Sequence, residues 1–427
     1  MFAGYANSIS GAFQFDDYNV IVFNPGVHSW QAWLHGLGSG IRPLLKFTYT
    51  LNWTLGTGTA GFHLLNIVIH LGNVLLVFAL TRHFLLAQPR LPQGLFGIPF
   101  ITALLFALHP IHTEAVTYIC GRSIALMTLF YLAGLLAYAS GRVKQDRVLL
   151  YIVTPLCFIA ALGVKETAAT FPLALLVWHL ASGGTLKDAL RSQWPSWAVL
   201  VMGGMFFLWH GGYLAMMESS AGLNSLEGNL ATQADAFLYL LRQWLLPLWL
   251  NIDPDLKLAH GLDERLPQMA FLAGVAIVML AVFRRRPWLG FALAWVLIQL
   301  VPLYLFLPRL DVANDRQMYL ASWPLLLALV AEISLWMNQK NLVLAGVVLA
   351  AALGSLTVLR NQDYRSEIAL WESTASVSPG KARVHNNLGS AYELAGRTAE
   401  ARQEYAIALT LEPDYRKARD NLERLEE

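Results

Sequence analysis

Two adjacent carboxylates, Asp16 and Asp17, lie in the stretch GAFQFDDYNVIVFNP, residues 11–25. Their neighbours Phe13, Phe15, Tyr18, Val20, Ile21, Val22 and Phe23 make the stretch apolar. Two carboxylates in partly dry surroundings cannot both ionise freely, so one is expected to keep its proton to a higher pH. Such a carboxylate is suited to take the proton of an alcohol. Clustered oxygens also suit a hard divalent cation, so a metal held by Asp16 and Asp17 is a second chemistry open to the pair. Loop acids are more often solvated surface, and the apolar neighbours are what weigh against that reading here.

Other polar residues recur at the ends of apolar runs. Arg42 and Lys46 follow the acidic stretch, and His63, Asn66 and His70 then share one helical face at i, i+3 and i+7. Polar residues on one face of a membrane helix chiefly bond to neighbouring helices. The run ALHPIHTEAVTYICGRS carries His109, His112, Glu114 and Arg122. Its HxxH spacing offers two ring nitrogens, and no third ligand is fixed by spacing. GVKETAATFPL carries Lys165 and Glu166, which read as a mutual ion pair, and PRLDVANDRQMYLASWP carries Arg309, Asp311, Asp315, Arg316 and Tyr319. Ionisable groups at membrane depth cost about 2.5–3.5 kcal/mol each on insertion scales, so their gathering at one face is read as functional. Acids beside Arg42, Arg122, Lys165 and Arg316 at headgroup level suit a reaction on an anionic lipid. The cations would hold phosphate and an acid would take a proton.

The elements that must position these residues are membrane helices. The chain of 427 residues is 56% hydrophobic and 14% charged, against roughly 25% charged in an average soluble protein. A net charge of +2 is too near neutral to indicate nucleic acid. The two cysteines, Cys120 and Cys157, sit in or beside apolar runs and read as packing residues, with neither disulfide nor zinc spacing. Apolar segments at 62–82, 97–117, 123–140, 148–164, 167–182, 195–216, 268–283, 288–307, 318–336 and 341–360 predict about ten membrane helices. Alternate short loops carry Arg82 and Arg90; Arg142, Lys144 and Arg147; Lys187 and Arg191; Arg284 to Arg286; and Lys340. The positive-inside rule makes these loops cytoplasmic, so residues 1–61, with Asp16 and Asp17, and the C-terminus share the outer face.

From residue 361 the composition turns charged and soluble. With Ala382 as position 1, Leu388, Gly389, Tyr392, Ala401, Tyr405, Ala408 and Pro413 fall where a tetratricopeptide repeat places its small and large residues. The same register one repeat earlier makes 366–378, with Trp371, the second helix of a half repeat. About one and a half repeats is below the usual minimum of about three, so this tail is expected to dock on the membrane domain or on another chain. The fold expected is therefore all-α: an outer loop over 1–61, a polytopic membrane helix bundle over 62–360, and a short tetratricopeptide-repeat tail over 361–427.

The motifs FDDYNVI, RPL, HPIHTEAV with a following GR, KE and RQMYL, in this order before the repeats, resemble the transmembrane O-mannosyltransferases with tetratricopeptide repeats and their bacterial relatives. The resemblance spans nearly the whole chain and implies a GT-C type glycosyltransferase. It implies a polyprenyl-phosphate-linked sugar as donor, inverting transfer to a hydroxyl of protein Ser or Thr in the family's manner, and a catalytic acid in the first outer loop. By that resemblance Asp16 is the base, and Asp17 orients the acceptor, tunes Asp16 or binds a divalent metal if one is used. Arg42, Arg122, Lys165 and Arg316 are then candidates for the donor phosphate, with His109, His112, Glu114, Glu166 and Tyr319 as further outer-face polar groups. The family has a span before the acidic loop, and residues 1–15 do not supply one, so a missing upstream segment is expected. Two other functions compete: a membrane scaffold gathering partners through its repeats, and a lipid-linked polysaccharide ligase or polymerase using Arg242, His260 and Arg265.

Overall fold

The computed structural model describes residues 1–38, 40–210, 214–215, 218, 225–300 and 311–425. Among these the chain is helical, with no strand. Each segment expected to span overlaps a helix. Residues 301–310, with Arg309 and the end of the 288–307 segment, lie outside the described residues. The longer helices are α1 (Pro43–Leu55), α2 (Gly58–Leu86), α3 (Ile98–Leu108), α4 (Arg122–Lys144), α5 (Thr154–Val164), α6 (Phe171–Ala181) and α7 (Leu186–Trp209). They continue as α8 (Leu226–Leu245), α9 (Leu266–Val282), α10 (Pro287–Leu300), α11 (Met318–Ser334) and α12 (Gln339–Asp363). The tail adds α13 (Glu367–Val377), α14 (Ala382–Leu394), α15 (Thr398–Leu411) and α16 (Arg416–Arg424). Five stretches are long and apolar enough to cross a membrane: Gly58–Leu86, Ile119–Lys144, Leu262–Val282, Asp315–Ser334 and Gln339–Asp363.

Aromatic side chains lock the bundle interior. Trp178 of α6, Phe291 and Trp295 of α10 and Trp323 of α11 meet with ring centroids 5.3–6.2 Å apart. Two of these buried indoles have partners: Trp295 donates to the Leu320 carbonyl and Trp323 to the Thr81 hydroxyl, both at 3.0 Å. The polar face of α2 serves the interhelical role expected of it. Asn66 donates to the Val116 carbonyl at 3.1 Å and Asn73 to that of Ala125 at 2.8 Å.

The segment after α3 differs from a continuous span. Residue His109 precedes Pro110, which disfavours the helical conformation, and its backbone is extended at φ −72°, ψ 122°. The chain then runs through the short turns Pro110–His112, Thr113–Val116 and Ile119–Gly121 before α4 begins. Gly121 is required there. A Cβ on it would lie 2.0 Å from the Glu114 carbonyl oxygen. This tight path gathers Glu114, Tyr118 and Cys120 beneath the acidic loop.

The tail packs as antiparallel helices. Gly389 of α14 lets Tyr405 of α15 approach so closely that a Cβ would sit 2.6 Å from its ring. The tail also grips the bundle through the 246–265 loop. Asp253 there is buried and receives Lys381 Nζ and the Arg383 guanidinium, and Asn251 donates to the Ser378 hydroxyl at 2.6 Å.

Candidate active site

The two acids of the opening motif are not equivalent. Asp17 is 1% exposed, and each of its oxygens accepts a backbone N–H: Oδ2 from Gln14 at 3.0 Å and Oδ1 from Cys120 at 2.9 Å. It ties the acidic loop to the turn before α4. Burial lifts its carboxyl to about 7, against the pull of those two donors. Asp16 is half-buried, and its own backbone N–H donates to the Tyr118 hydroxyl at 3.0 Å. Burial raises the Asp16 carboxyl above its ordinary value and nearby Asp311 adds to this, while Arg316, Tyr118 and Arg383 hold it back. One raised carboxyl was expected of the pair, and both are raised. Asp16 is the more open carboxylate of the two.

Arg316 stands at the centre of the surrounding charge. Its backbone N–H donates to Glu114 Oε2 at 2.9 Å, and its Nε lies 3.4 Å from Glu114 Oε1. The guanidinium also lies 3.7 Å from Asp311 and donates to Asn314 at 3.2 Å. Glu114 is 2% exposed, so it fixes Arg316 from below rather than facing a substrate. Of the residues the sequence reading gathered at the outer face, the structure brings Asp16, Asp17, Glu114 and Arg316 near one another. The sequence reading missed Tyr118, two residues past the HPIHTEAV motif and without a charge to mark it, and it missed Arg383 of the tail.

Arg42, Lys165 and Glu166 form a second cluster. Arg42 makes a two-pronged bond to Glu166, Nε to Oε2 at 3.0 Å and Nη2 to Oε1 at 2.6 Å. The expected Lys165–Glu166 pairing is thus overshadowed by one across 124 residues, with Lys165 buried alongside. Glu166 is correspondingly acidic: burial pushes its carboxyl up, but Arg42 and Lys165 outweigh this and bring it to about 2. Arg42 adopts a left-handed backbone at φ 56° just before Pro43 opens α1. It also forms part of the wall of an apolar groove of about 360 Å³ between α1, α5 and α7, lined by Leu37, Ile41, Ile159, Leu162 and Phe206.

The remaining candidates are held inside the protein. Arg122 is fully buried. It donates to Asn66 Oδ1 at 2.6 Å, to the Phe62 carbonyl at 2.9 Å and to Thr48 at 3.2 Å, and it lies over the Tyr49 and Phe62 rings. That guanidinium joins α1, α2 and α4. His109 donates to the Trp244 carbonyl at 3.1 Å, and its other nitrogen accepts from the Ile111 N–H at 3.3 Å. His112 donates to the Phe106 carbonyl at 2.8 Å and accepts from Ser322 at 2.7 Å. Tyr319 donates to His70 at 2.6 Å and accepts from Asn73 at 3.0 Å within the bundle. These groups bond one part of the bundle to another.

Among the described residues no three His, Cys, Asp or Glu side chains group to hold a metal ion. Both oxygens of Asp17 are engaged by backbone N–H groups, so the pair does not present two open carboxylates. The residues of the competing ligase reading have their own surroundings. Arg265 pairs with Asp235, Arg242 lies over Trp249, and His260 is exposed.

No family model and no solved structure matches the chain. Curated relatives do. It is 28% identical over 96% of its length to the protein O-mannosyl-transferase F38B6.6 of Caenorhabditis elegans, covering 61% of that protein. It is 27% identical over 98% of its length to the human protein O-mannosyl-transferase TMTC1, covering 55% of it. The human protein O-mannosyl-transferase TMTC4 matches at 28% over 90% of the chain, which covers 62% of it. The chain is similar to protein O-mannosyl-transferases along almost its whole length. It spans about half to three fifths of these relatives' own lengths. The resemblance drawn from the ordered motifs is thereby confirmed, and the membrane bundle expected with it matches the apolar helices observed.

Proposed function

We propose that this chain is an integral-membrane, inverting glycosyltransferase that moves a mannose-like sugar from a polyprenyl phosphate to the hydroxyl of a protein Ser or Thr. Transfer takes place on the outer or lumenal face, where the basic-poor loops put the acidic motif. The observation that carries the reading is Asp16, the one open carboxylate of the acidic motif, standing beside Arg316 in a chain similar end to end to protein O-mannosyl-transferases.

The Asp16 carboxylate takes the proton of the acceptor hydroxyl as its oxygen bonds to the anomeric carbon. The bond from that carbon to the phosphate oxygen breaks, and the electron pair leaves with the lipid phosphate. Phosphate is a good leaving group, so no second carboxyl need protonate it, unlike the acid and base pair of a glycoside hydrolase. Arg316 stabilises negative charge beside Asp16, and Arg42, oriented by Glu166 with Lys165 buried nearby, supplies positive charge at the wall of the apolar groove, which suits a lipid chain. Asp17 and Arg122 hold the loop and helices that present these groups. The tail's free surface would contact the acceptor protein.

The test is transfer by the purified full chain from polyprenyl-phosphate mannose to a Ser/Thr peptide, read as peptide-linked sugar. Transfer abolished in Asp16→Asn is the expected result. Undiminished transfer by that variant, or none from any polyprenyl donor by the parent, refutes the proposal.

A further inference from the structure

The acidic loop does not hold its shape alone. Phe15, directly before Asp16, has a left-handed backbone at φ 46°. A bulky side chain adopts that conformation at a cost and keeps it only where its surroundings enforce it. The enforcing surroundings come from the tail. The Phe15 ring meets Trp371 of α13 edge to face, with centroids 5.2 Å apart. Its backbone N–H faces the Glu367 carboxylate at the start of the same helix. One residue earlier, the Gln14 side chain donates to the Tyr364 carbonyl, where α12 hands over to α13. Trp371 is 1% exposed, so the ring is wedged between the loop and the tail's own core. A second arm of the tail reaches the same place: Arg383, fixed by Asp253, bears on both Asp16 and Asp311.

We infer that the first tail helix is part of the catalytic apparatus, with Trp371 and Glu367 acting as positioning residues that set the Phe15 backbone and so aim the Asp16 carboxylate. This rests on the reading of Asp16 as the base. The repeat tail is then no detachable adaptor, and its seating on the loop governs turnover. Displacing a reacting group by about 1 Å costs on the order of 100-fold in rate.

The experiment uses the full chain in detergent with two readouts: steady-state transfer from polyprenyl-phosphate mannose to a Ser/Thr peptide, and amide exchange over residues 11–18. Trp371→Ala is expected to lower kcat by about 10- to 100-fold with the donor KM within about twofold, and to speed exchange in the loop. Trp371→Phe, which keeps an aromatic seat, restores most of kcat. Glu367→Ala provides the same test where Trp371→Ala fails to fold, and Glu367→Gln, which keeps an acceptor for the Phe15 N–H, rescues it. Transfer lost in Asp16→Asn but unchanged in Trp371→Ala and Glu367→Ala overturns the inference and leaves the transferase reading standing. Transfer undiminished in Asp16→Asn overturns that reading, and loop exchange then decides the seating alone. Exchange unchanged from the parent overturns it, and faster exchange sustains it. A loss appearing wholly in the donor KM also overturns it, because that is lost binding and not misaimed chemistry.

Discussion

Replacing each acid of the motif by its amide separates chemistry from architecture. In Asp17→Asn one carboxylate oxygen becomes an NH2 group. It must face either the Gln14 N–H, now 3.0 Å from an oxygen, or the Cys120 N–H, now 2.9 Å from one. One buried backbone donor is left without an acceptor, at a cost of about 1–3 kcal/mol. Against a total stability on the order of 5–15 kcal/mol that is a large loss, visible as a lowered unfolding midpoint of the detergent-solubilised protein. Asp16→Asn removes no backbone bond, since its own N–H still donates to Tyr118, so stability stays within about 0.5 kcal/mol of the parent. Its transfer rate, however, falls by roughly 100- to 10,000-fold, the usual worth of a positioned general base. Unfolding and transfer measured on both variants give a crossed pattern: Asp17→Asn loses stability first and Asp16→Asn loses rate alone. A stable but inactive Asp17→Asn beside a destabilised and active Asp16→Asn would reverse the two roles and refute the assignment.

Titration supplies further tests. Because burial raises the Asp16 carboxyl, the acid limb of the rate–pH profile should have its midpoint above the ordinary carboxylate range; Arg316→Gln should move it higher and Asp311→Asn lower, and a limb unmoved by both contradicts the charge arrangement. Asp17 ionises at about 7 when folded and at 3.8 in its ordinary surroundings, so the folded state binds the extra proton between those values. Its contribution is full below about 4 and is lost as pH rises to about 7, which the difference in unfolding midpoint between parent and Asp17→Asn across that window will show. Glu166 is the opposite case: lowered to about 2 from 4.5, it stabilises above pH 4.5 and loses that contribution as pH falls through about 2, so Glu166→Gln flattens the acid limb of stability. Removing either partner of the Arg42–Glu166 pair should cost roughly 1.5–3 kcal/mol, the worth of hydrogen bonds to charged groups, and discounted toward the lower figure because Arg42 is 26% exposed; a double-mutant cycle measures it.

What the sequence could carry depended on how local the cause was. The α2 face of Asn66 and His70 was legible because helix periodicity alone puts such residues together, and their bonds run to the neighbouring helices as polar groups in a membrane require. The small and large residues of the tail were legible for the same reason, and Gly389 does admit Tyr405. Charge type, in contrast, did not reveal which cation lies near the acidic motif's open carboxylate. Arg122 and Arg316 look alike in the sequence, yet acceptors from α1 and α2 consume the first, while the second lies beside Asp16. Likewise nothing in the pair FDD distinguishes its members. Asp17 is taken by an N–H 103 residues away, and that leaves Asp16 open. The tail's hold on the loop is the extreme case. The half repeat marked Trp371 as a core residue of a helical hairpin, and so it is, but its ring also supports Phe15, beside a hydrogen bond that closes 350 residues of chain. A conformation disfavoured for Phe15 locally is paid for by a partner at the far end of the sequence. Such a site reads as an error in local propensity until the partner is seen, and that mismatch is itself the sign that the loop's geometry is imposed from outside.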